Sequence, residues 1–597
     1  MSRVTRRHFL HAVGGAAASV PLLPLSPAAS PAEAPPAPGR PVPPAGRLVD
    51  VALTAQTLET TLDGTPVRLR SYNGEVPGPL LEVRPGDRLR VTLYNELPPY
   101  DSSAWSGDHN VPHRLDTTNL HLHGLEIVPH LFQPVGTSDP TAEMIAVRPG
   151  ESYVYEVQIP DDQPDGLFWY HPHHHGSTAV QAVTGMAGGL VVRGAVDAVP
   201  EVAAAREVFL VFNDIGLFPS EDGSGVWEYE PVQNSVWDTL GSEVKIWDPT
   251  RREMVSAPHL QGGFTTGDYK LRYYLVNGQP VYKEVHNDAS SAGFTPPPGC
   301  APTMSPQAVP VGTQLDVPRV ELRPGEVARL RLLNANSDDL MPIVVEGHDL
   351  FLIELDGVNV PQPRALSQEV VDGPWTGDNA QVVLAPANRA SVLVRASPTP
   401  GTYRVVQLAQ CDQFLYSDQR VLAEIVVAGE PMEPPMAIPA SLPLPTRHYP
   451  LIRPDEVERV RNVTFSMAFP GVLNPIVGLD FMINNNVYDE RSVSAVVDRG
   501  SVEEWHLYVP DAMEGGTEGH PFHVHVNSFE LISVGGVDQL PGTIMDTIWV
   551  PVDTEIVIRM RFRQWTGKSV YHCHILPHED TGMMQNFLIT DGAEGAH

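Results

Sequence analysis

One phrase occurs three times in this chain, at intervals of a whole domain, and it leaves room for little but β-structure. Val83-Arg-Pro-Gly-Asp-Arg-Leu-Arg-Val-Thr-Leu-Tyr-Asn95 sets a Pro-Gly turn before a run of alternating residues. Leu322-Arg-Pro-Gly-Glu-Val-Ala-Arg-Leu-Arg-Leu-Leu-Asn334 repeats it, and Val497-Asp-Arg-Gly-Ser-Val-Glu-Glu-Trp-His-Leu-Tyr-Val509 is a weaker copy. A related turn precedes each: Tyr72-Asn-Gly74, Val276-Asn-Gly278 and Ile483-Asn-Asn485. Alternation is the signature of a strand with one buried face. The spacing between copies is far longer than a solenoid repeat. The chain is therefore read as all-β, with three related β-sandwich domains. A length of 597 residues exceeds a single core, and 60 prolines with 49 glycines suit short strands joined by many turns.

Domain one is placed at 47–196, domain two at 197–440 and domain three at 441–597, after a leader at 1–30 and a Pro/Ala-rich linker at 31–46. Domain two is expanded. An insertion near 218–270 carries Trp227, Trp237 and Trp247, expected to pack that loop onto its own domain rather than to form a lid; a second, near 283–315, is Pro-rich and holds Cys300. The Pro-rich stretch from Glu430 to Pro445 reads as a linker.

In the leader, Thr5-Arg6-Arg7-His8-Phe9-Leu10 precedes a weakly apolar Ala-rich run. This is a twin-arginine export signal, an address read by the translocation machinery, with cleavage expected between Ala28 and Ala34. The mature chain is expected in a periplasm or outside the cell, and no later segment is long enough to span a bilayer. Net charge is 39 − 72 = −33, which argues against charge-driven binding to nucleic acid or anionic membrane.

Chemistry concentrates in four clusters. Thr118-Asn-Leu-His121-Leu-His123-Gly124 and Phe168-Trp-Tyr-His171-Pro-His173 each carry a His-x-His pair, and Gly519-His520-Pro-Phe-His523-Val-His525 carries three histidines. The last is Tyr571-His-Cys-His-Ile-Leu-Pro-His-Glu-Asp-Thr-Gly-Met583. On a strand, His572 and His574 share one face and Cys573 takes the other, so one short segment can serve two metal centres. Cysteine, histidine and a distant methionine form a blue-copper ligand set. No two-Cys or His-Glu-x-x-His zinc pattern is present. Alternation puts His174 opposite the ligands, and His174, His175, His109, His113, His130, His286 and His348 are read as surface or hydrogen-bonded residues. With Cys573 on metal, Cys300 and Cys411 remain for a disulfide.

Together the four clusters resemble the copper motifs of the multicopper oxidases, and the three repeats resemble that family's domains. The resemblance implies three cupredoxin-like Greek-key β-sandwich domains and four coppers per chain. It implies a type 1 site of His520, Cys573, His578 and Met583, type 2 ligands His121 and His523, and type 3 ligands His123, His171, His173, His525, His572 and His574. The trinuclear cluster would lie between domains one and three. The implied activity is laccase-like: four one-electron oxidations of a small reducing substrate, such as a phenol or aromatic amine, coupled to reduction of dioxygen to water. Electrons would enter at an exposed edge of His578, and Glu579 and Asp139 would supply protons. An axial Met583 favours easily oxidised donors. The alternative is an exported oxidase of Cu(I), Mn(II) or Fe(II); against it, methionines such as Met304 and Met341 are scattered rather than massed. Paired His-x-His motifs speak against a copper nitrite reductase, and the full ligand set against a scaffold that has lost its metal.

Overall fold

The computed structural model describes residues 46–103, 107–220, 222–229, 269–285, 311–366, 375, 377, 379–411, 416–468, 480–510 and 519–592, with the backbone of 245–248 and 253–256. The leader, Cys300, Trp237, His286 and Met304 lie outside the described residues, as do the side chains of Cys411 and Trp247. The expected disulfide therefore falls outside them.

Three sandwiches follow one another. In the first, Thr65–Tyr72, Leu48–Leu62, Arg88–Asn95 and Ser152–Gln158 form one layer, and Gly78–Val83, Gly188–Val192, Leu167–His171 and His121–His123 the other. Leu89, Val91, Leu93, Leu122, Phe168 and Leu190 fill the space between. In the second, Arg206–Pro219, Val327–Asn334, Arg389–Arg395, Asp349–Leu355 and Val358–Ala365 face Arg319–Leu322, Arg420–Val427, Gly401–Gln407, Met341–Val345 and Val382–Leu384. In the third, Asp480–Ile483, Arg459–Ala468, Val502–Tyr508, Ile556–Arg561 and Phe529–Val534 face Ala495–Asp498, Met584–Thr590, Gly567–Cys573, His520–Val524 and Thr547–Val550. Trp505, Phe522, Tyr571 and Phe587 anchor that core.

The repeated phrase is the step from one layer to the other. Gly78–Val83, Arg319–Leu322 and Ala495–Asp498 each end in one sheet, and Arg88–Asn95, Val327–Asn334 and Val502–Tyr508 each begin in the opposite one. The reversing turn is closed by the same bond each time: Asp87 N to Arg84 O, Glu326 N to Arg323 O, Ser501 N to Asp498 O. After the turn, each strand runs parallel to the first strand of its own sandwich, Leu48–Leu62, Arg206–Pro219 or Arg459–Ala468.

The Asn turns are equally uniform. Asn73, Asn277 and Asn484 all have positive φ (56°, 50° and 52°), a conformation asparagine tolerates better than most residues. Their Nδ2 atoms donate to Ala52, Phe209 and Asn462 carbonyls, while their Oδ1 atoms accept from Thr54, Val211 and Thr464 N–H groups. One side chain thus clamps two backbone groups of a neighbouring strand.

Sandwiches one and two share a continuous sheet. Trp227–Glu228 pairs antiparallel with Phe218 and Pro219 and parallel with Val67. Trp227 packs against Leu62, Val67 and Leu217, so this part of the insertion staples two domains. Among the described residues no helix is long and apolar enough to cross a membrane.

Candidate metal centres

The four histidine-bearing segments meet at the seam between the first and third sandwiches. In the first, His121–His123 pairs antiparallel with Leu167–His171, with His121 opposite His171. In the third, His520–Val524 pairs with Gly567–Cys573, with His523 opposite His572 and Phe522 opposite Cys573. Strand alternation turns each His-x-His pair to the same side. The two sets then interleave: His121 stacks on His525 and His123 on His523, each with ring centroids 3.9 Å apart. All ten candidate histidines are buried, with Cys573 and Met583.

Tautomers can be assigned from neighbouring acceptors. A carbonyl oxygen only accepts, so the ring nitrogen facing it carries the proton and the other keeps its lone pair. His171 Nδ1 lies 2.8 Å from Pro172 O, His572 Nδ1 lies 2.9 Å from Cys573 O, and His523 Nδ1 lies 2.8 Å from Asp546 O. All three therefore present Nε2. His123 is reversed: its Nε2 lies 3.3 Å from the Asp546 carboxylate, and its Nδ1 lies 3.4 Å from His171 Nε2. His572 Nε2 stands 3.2 Å from His173 Nε2 and 3.1 Å from His525 Nε2.

These lone pairs sort into groups. His123, His171 and His574 offer ligand atoms within 4.8 Å of one another, and so do His173, His525 and His572. His121 and His523 close a third group with His123. Each pair is split: His171 and His173 serve different trios, as do His572 and His574. On the opposite side of the last strand, Cys573 Sγ lies 3.6 Å from His520 Nδ1 and 3.9 Å from His578 Nδ1. The short helix Leu576–Asp580 brings His578 back to the cysteine, and Cys573 N–H donates to Met583 O, which ties the methionine segment to the same centre.

A cation resolves what this arrangement leaves unsettled. Among the described residues, His121 and His574 find no hydrogen-bond partner on either nitrogen, and His523 Nε2 finds none. Burial, with the mutual repulsion of neighbouring rings, holds the imidazoles of His121, His123, His173, His523, His525 and His574 far below their usual pKa, and so neutral. Buried neutral imidazoles with converging lone pairs are metal ligands in waiting, and the thiolate, imidazole and thioether types fit copper. The residues present fit that ion.

Carboxylates ring the histidines. Glu579 is fully buried, 3.2 Å from His173 Nδ1 and 3.2 Å from His572 Nδ1. Burial, with Asp580 beside it, pushes its pKa well above the usual range and so favours the protonated carboxyl. Asp580 is raised to about 7 by burial, although Gly176 and Ala179 N–H groups donate to it.

Two expectations are corrected. Asp139 is exposed, and its Oδ1 accepts from Thr141 N–H and Oγ1, both at 2.8 Å; it caps a turn and does not join the cluster. His578 presents no exposed edge: it is 4% accessible and stacks on Phe481 at 4.4 Å. The sequence reading also missed Asp546, which touches His123 and His523, and Arg389, whose guanidinium grips Asp546. The histidines set aside have other partners. His130 accepts from Leu122 N–H, His175 Nε2 meets Asn110 Oδ1, His113 Nδ1 meets Val111 O, and His348 accepts from Ser397 N–H. His174 lies against Ser177, and His109 is exposed.

Comparison with known proteins agrees with this geometry. Three family models, each described as multicopper oxidase, match residues 54–196 in two overlapping segments, 258–418 and 454–593. A laccase of Bacillus stratosphericus is 24% identical over 567 residues, covering 90% of this chain and 93% of its own. Multicopper oxidase MmcO of Mycobacterium tuberculosis is 24% identical, covering 91% of this chain and 87% of its own. Among solved structures, a Campylobacter jejuni multicopper oxidase titled a metallo-oxidase superposes with TM-score 0.60 at 21% identity, covering 92% of this chain and 96% of its own. A laccase from Pediococcus acidilactici gives TM-score 0.60 at 22% identity, covering 93% and 95%.

Proposed function

The chain belongs to the multicopper oxidase family and is a copper-dependent oxidoreductase that uses oxygen, and from that premise we propose a laccase-like activity: four one-electron oxidations of a small organic donor, a phenol or aromatic amine, coupled to reduction of dioxygen to water. The observation that carries it is the division of buried lone pairs into two histidine trios and a pair, joined through His572-Cys573-His574 to a separate thiolate centre. His520, Cys573, His578 and Met583 would hold a type 1 copper; His121 and His523 a type 2 copper; and the two trios a type 3 pair. Bound copper supplies one-electron acceptance at the thiolate centre and multi-electron delivery to oxygen at the cluster.

The protein's own residues set the conditions. Cys573 shares adjacent peptide units with His572 and His574, so the two centres are linked covalently by the shortest route a chain allows. Phe481 covers His578, so a donor approaches over that ring rather than onto bare imidazole. Glu579 keeps a proton beside His173 and His572, where oxygen reduction consumes protons. Full burial of the ligands keeps bulk water from the cluster. The Arg6-Arg7 leader supports a further proposal, that the protein is exported by the twin-arginine route to a periplasm or beyond.

Copper content and oxygen uptake on parallel donors test the reading. Four coppers per chain, turnover of phenols and aromatic amines, and four donor electrons per oxygen without peroxide are expected. Turnover confined to Cu(I), Mn(II) or Fe(II) would transfer the assignment to a metal oxidase, and fewer than four coppers would sink it.

A further inference from the structure

Among the described residues the central sandwich contributes no candidate ligand, yet it reaches the cluster through one buried chain of polar groups. Arg389, fully buried, donates Nη1 to Asp546 Oδ1 at 2.9 Å and Nη2 to Asp546 Oδ2 at 2.5 Å. The same guanidinium donates to Leu167 O in the first sandwich (3.2 Å) and to Ala387 O in the second (3.0 Å). Behind it, Asp356 accepts from Arg389 N–H at 2.8 Å and from the N–H groups of Asp546 and Thr547 at 3.2 Å each. Asn388 Nδ2 bonds both Asp356 and Thr547 O. Asp356 and Ala387 are held at positive φ (43° and 79°), a backbone cost that persists only where the surroundings fix it.

At the far end, the Asp546 carboxylate faces His123 Nε2 and lies near His523 Nδ1. His123 is the one histidine with assigned tautomer that must present Nδ1. Which nitrogen of an imidazole is free is set by the acceptor its other nitrogen finds, and such outer partners tune metal affinity.

We propose that Asp356, Arg389 and Asp546 form a positioning device, by which the central domain fixes the tautomer and aim of His123 and so the metal affinity of the oxygen-reducing cluster. None of the three is in a candidate metal-ligand group. Arg389 locks the Asp546 carboxylate in rotation, Asp356 locks Arg389 and the 546–547 backbone, and His123 receives the result as a proton held on Nε2. The proposal rests on the reading of these histidines as copper ligands.

The test compares copper retained per chain against increasing chelator, with the blue absorption of the Cys573 centre as an independent sign that the variant is folded. Asp546→Ala removes the acceptor, and His123 is free to carry its proton on Nδ1. Cluster copper is expected to be held about 10–100-fold less tightly, with the blue absorption unchanged. Asp546→Asn is expected to fall between wild type and Asp546→Ala: Arg389 Nη1, His123 Nε2 and Thr547 Oγ1 converge on the Oδ1 position and keep the amide oxygen there, while the amide N–H faces Arg389 Nη2 and that bond is lost. Arg389→Met should weaken cluster copper about tenfold while leaving His123, His171 and the thiolate centre chemically intact. A chelator profile for Asp546→Ala that matches wild type would overturn the proposal, as would Asp546→Asn losing as much copper as Asp546→Ala. Should Arg389→Met not yield folded protein, Arg389→Lys, which keeps charge but one contact, is expected to lose cluster copper severalfold, and an unchanged profile would count against the device. Failure of the underlying copper reading shows separately, as wild type that never binds four ions.

Discussion

Adding one methyl group at Gly124 separates backbone strain from steric conflict. Gly124 follows His123 directly and has φ +83°. A Cβ there would lie 2.5 Å from Asp546 Oδ2, 3.0 Å from Phe168 Cδ1, and inside contact distance of Arg389 Nη2. The end of an arginine usually swings aside at little cost, but this one is fully buried and tied to Asp546 by two bonds. Gly150 is the control. It lies in the same sandwich with φ +81°, and nothing stands within 4 Å of the added carbon. Both Gly→Ala changes force a non-glycine residue into the left-handed region, at about 1–2 kcal/mol. Only Gly124→Ala adds overpacking, about 1–3 kcal/mol. At roughly 3 °C per kcal/mol for a unit of this size, an extra ~2 kcal/mol lowers the melting temperature by about 6 °C beyond Gly150→Ala. Thermal unfolding of the two metal-free variants, followed by tryptophan fluorescence, gives the comparison. Equal melting temperatures would refute the claim that Arg389 and Asp546 are fixed.

Four further outcomes follow from the same structure. Glu579→Gln should keep copper and the blue absorption but slow oxygen uptake about 10²-fold, because the buried proton source is gone while the ligands remain. Arg447→Met strips Glu126 of its buried partner and should cost about 3–5 kcal/mol at neutral pH in urea unfolding. The sign with pH is fixed. Although burial opposes it, Arg447 and His448 hold the Glu126 pKa below its unfolded value, so this stability is present above the ordinary carboxylate range and lost on acidification; wild type and variant should converge in acid. Removing copper should lower the melting temperature, and free copper at about 100-fold above its dissociation constant should restore about 2.7 kcal/mol, read by titrated thermal melts. Asn73→Ala, Asn277→Ala and Asn484→Ala should each cost about 2–3 kcal/mol in denaturant unfolding, with similar values in all three sandwiches, since each loses two side-chain bonds and leaves alanine at positive φ.

The ligands were legible because both signals behind them are local. A strand turns alternate residues one way, so His121 and His123, or His572 and His574, announce a shared face from spacing alone. The layer-crossing phrase was legible for the same reason: its turn and alternation lie within thirteen consecutive residues. Asp546, Arg389 and Asp356 gave no such sign. They reach the cluster from separate strands and turns, brought together only when three sandwiches close, and a lone aspartate before threonine has no spacing to read. Asp139 failed in the opposite sense. Its place after the first cluster suggested proximity, but the Asp-Pro turn directs the chain outward, and Thr141 satisfies the carboxylate there. The exposed edge expected of His578 was lost to Phe481, a residue about a hundred positions away that lays its ring on the imidazole.

The seam histidines also make this chain a closed circle. Sandwich one is joined to two by a continuous sheet through Trp227–Glu228, two to three by Arg389 and Asp546, and three back to one by the interleaved imidazoles. In an open string of domains, one cut peptide bond frees a piece. In a circle it does not. A protease nick in the Pro-rich stretch between 430 and 445 is therefore expected to leave a copper-loaded protein that runs as one particle on gel filtration and as two bands once denatured. Stripping the metal weakens one of the three joints, which keeps its Asp580 and Arg447 contacts to sandwich one, and the nicked fragments should part more readily. Copper at this position is a clasp as well as a reagent.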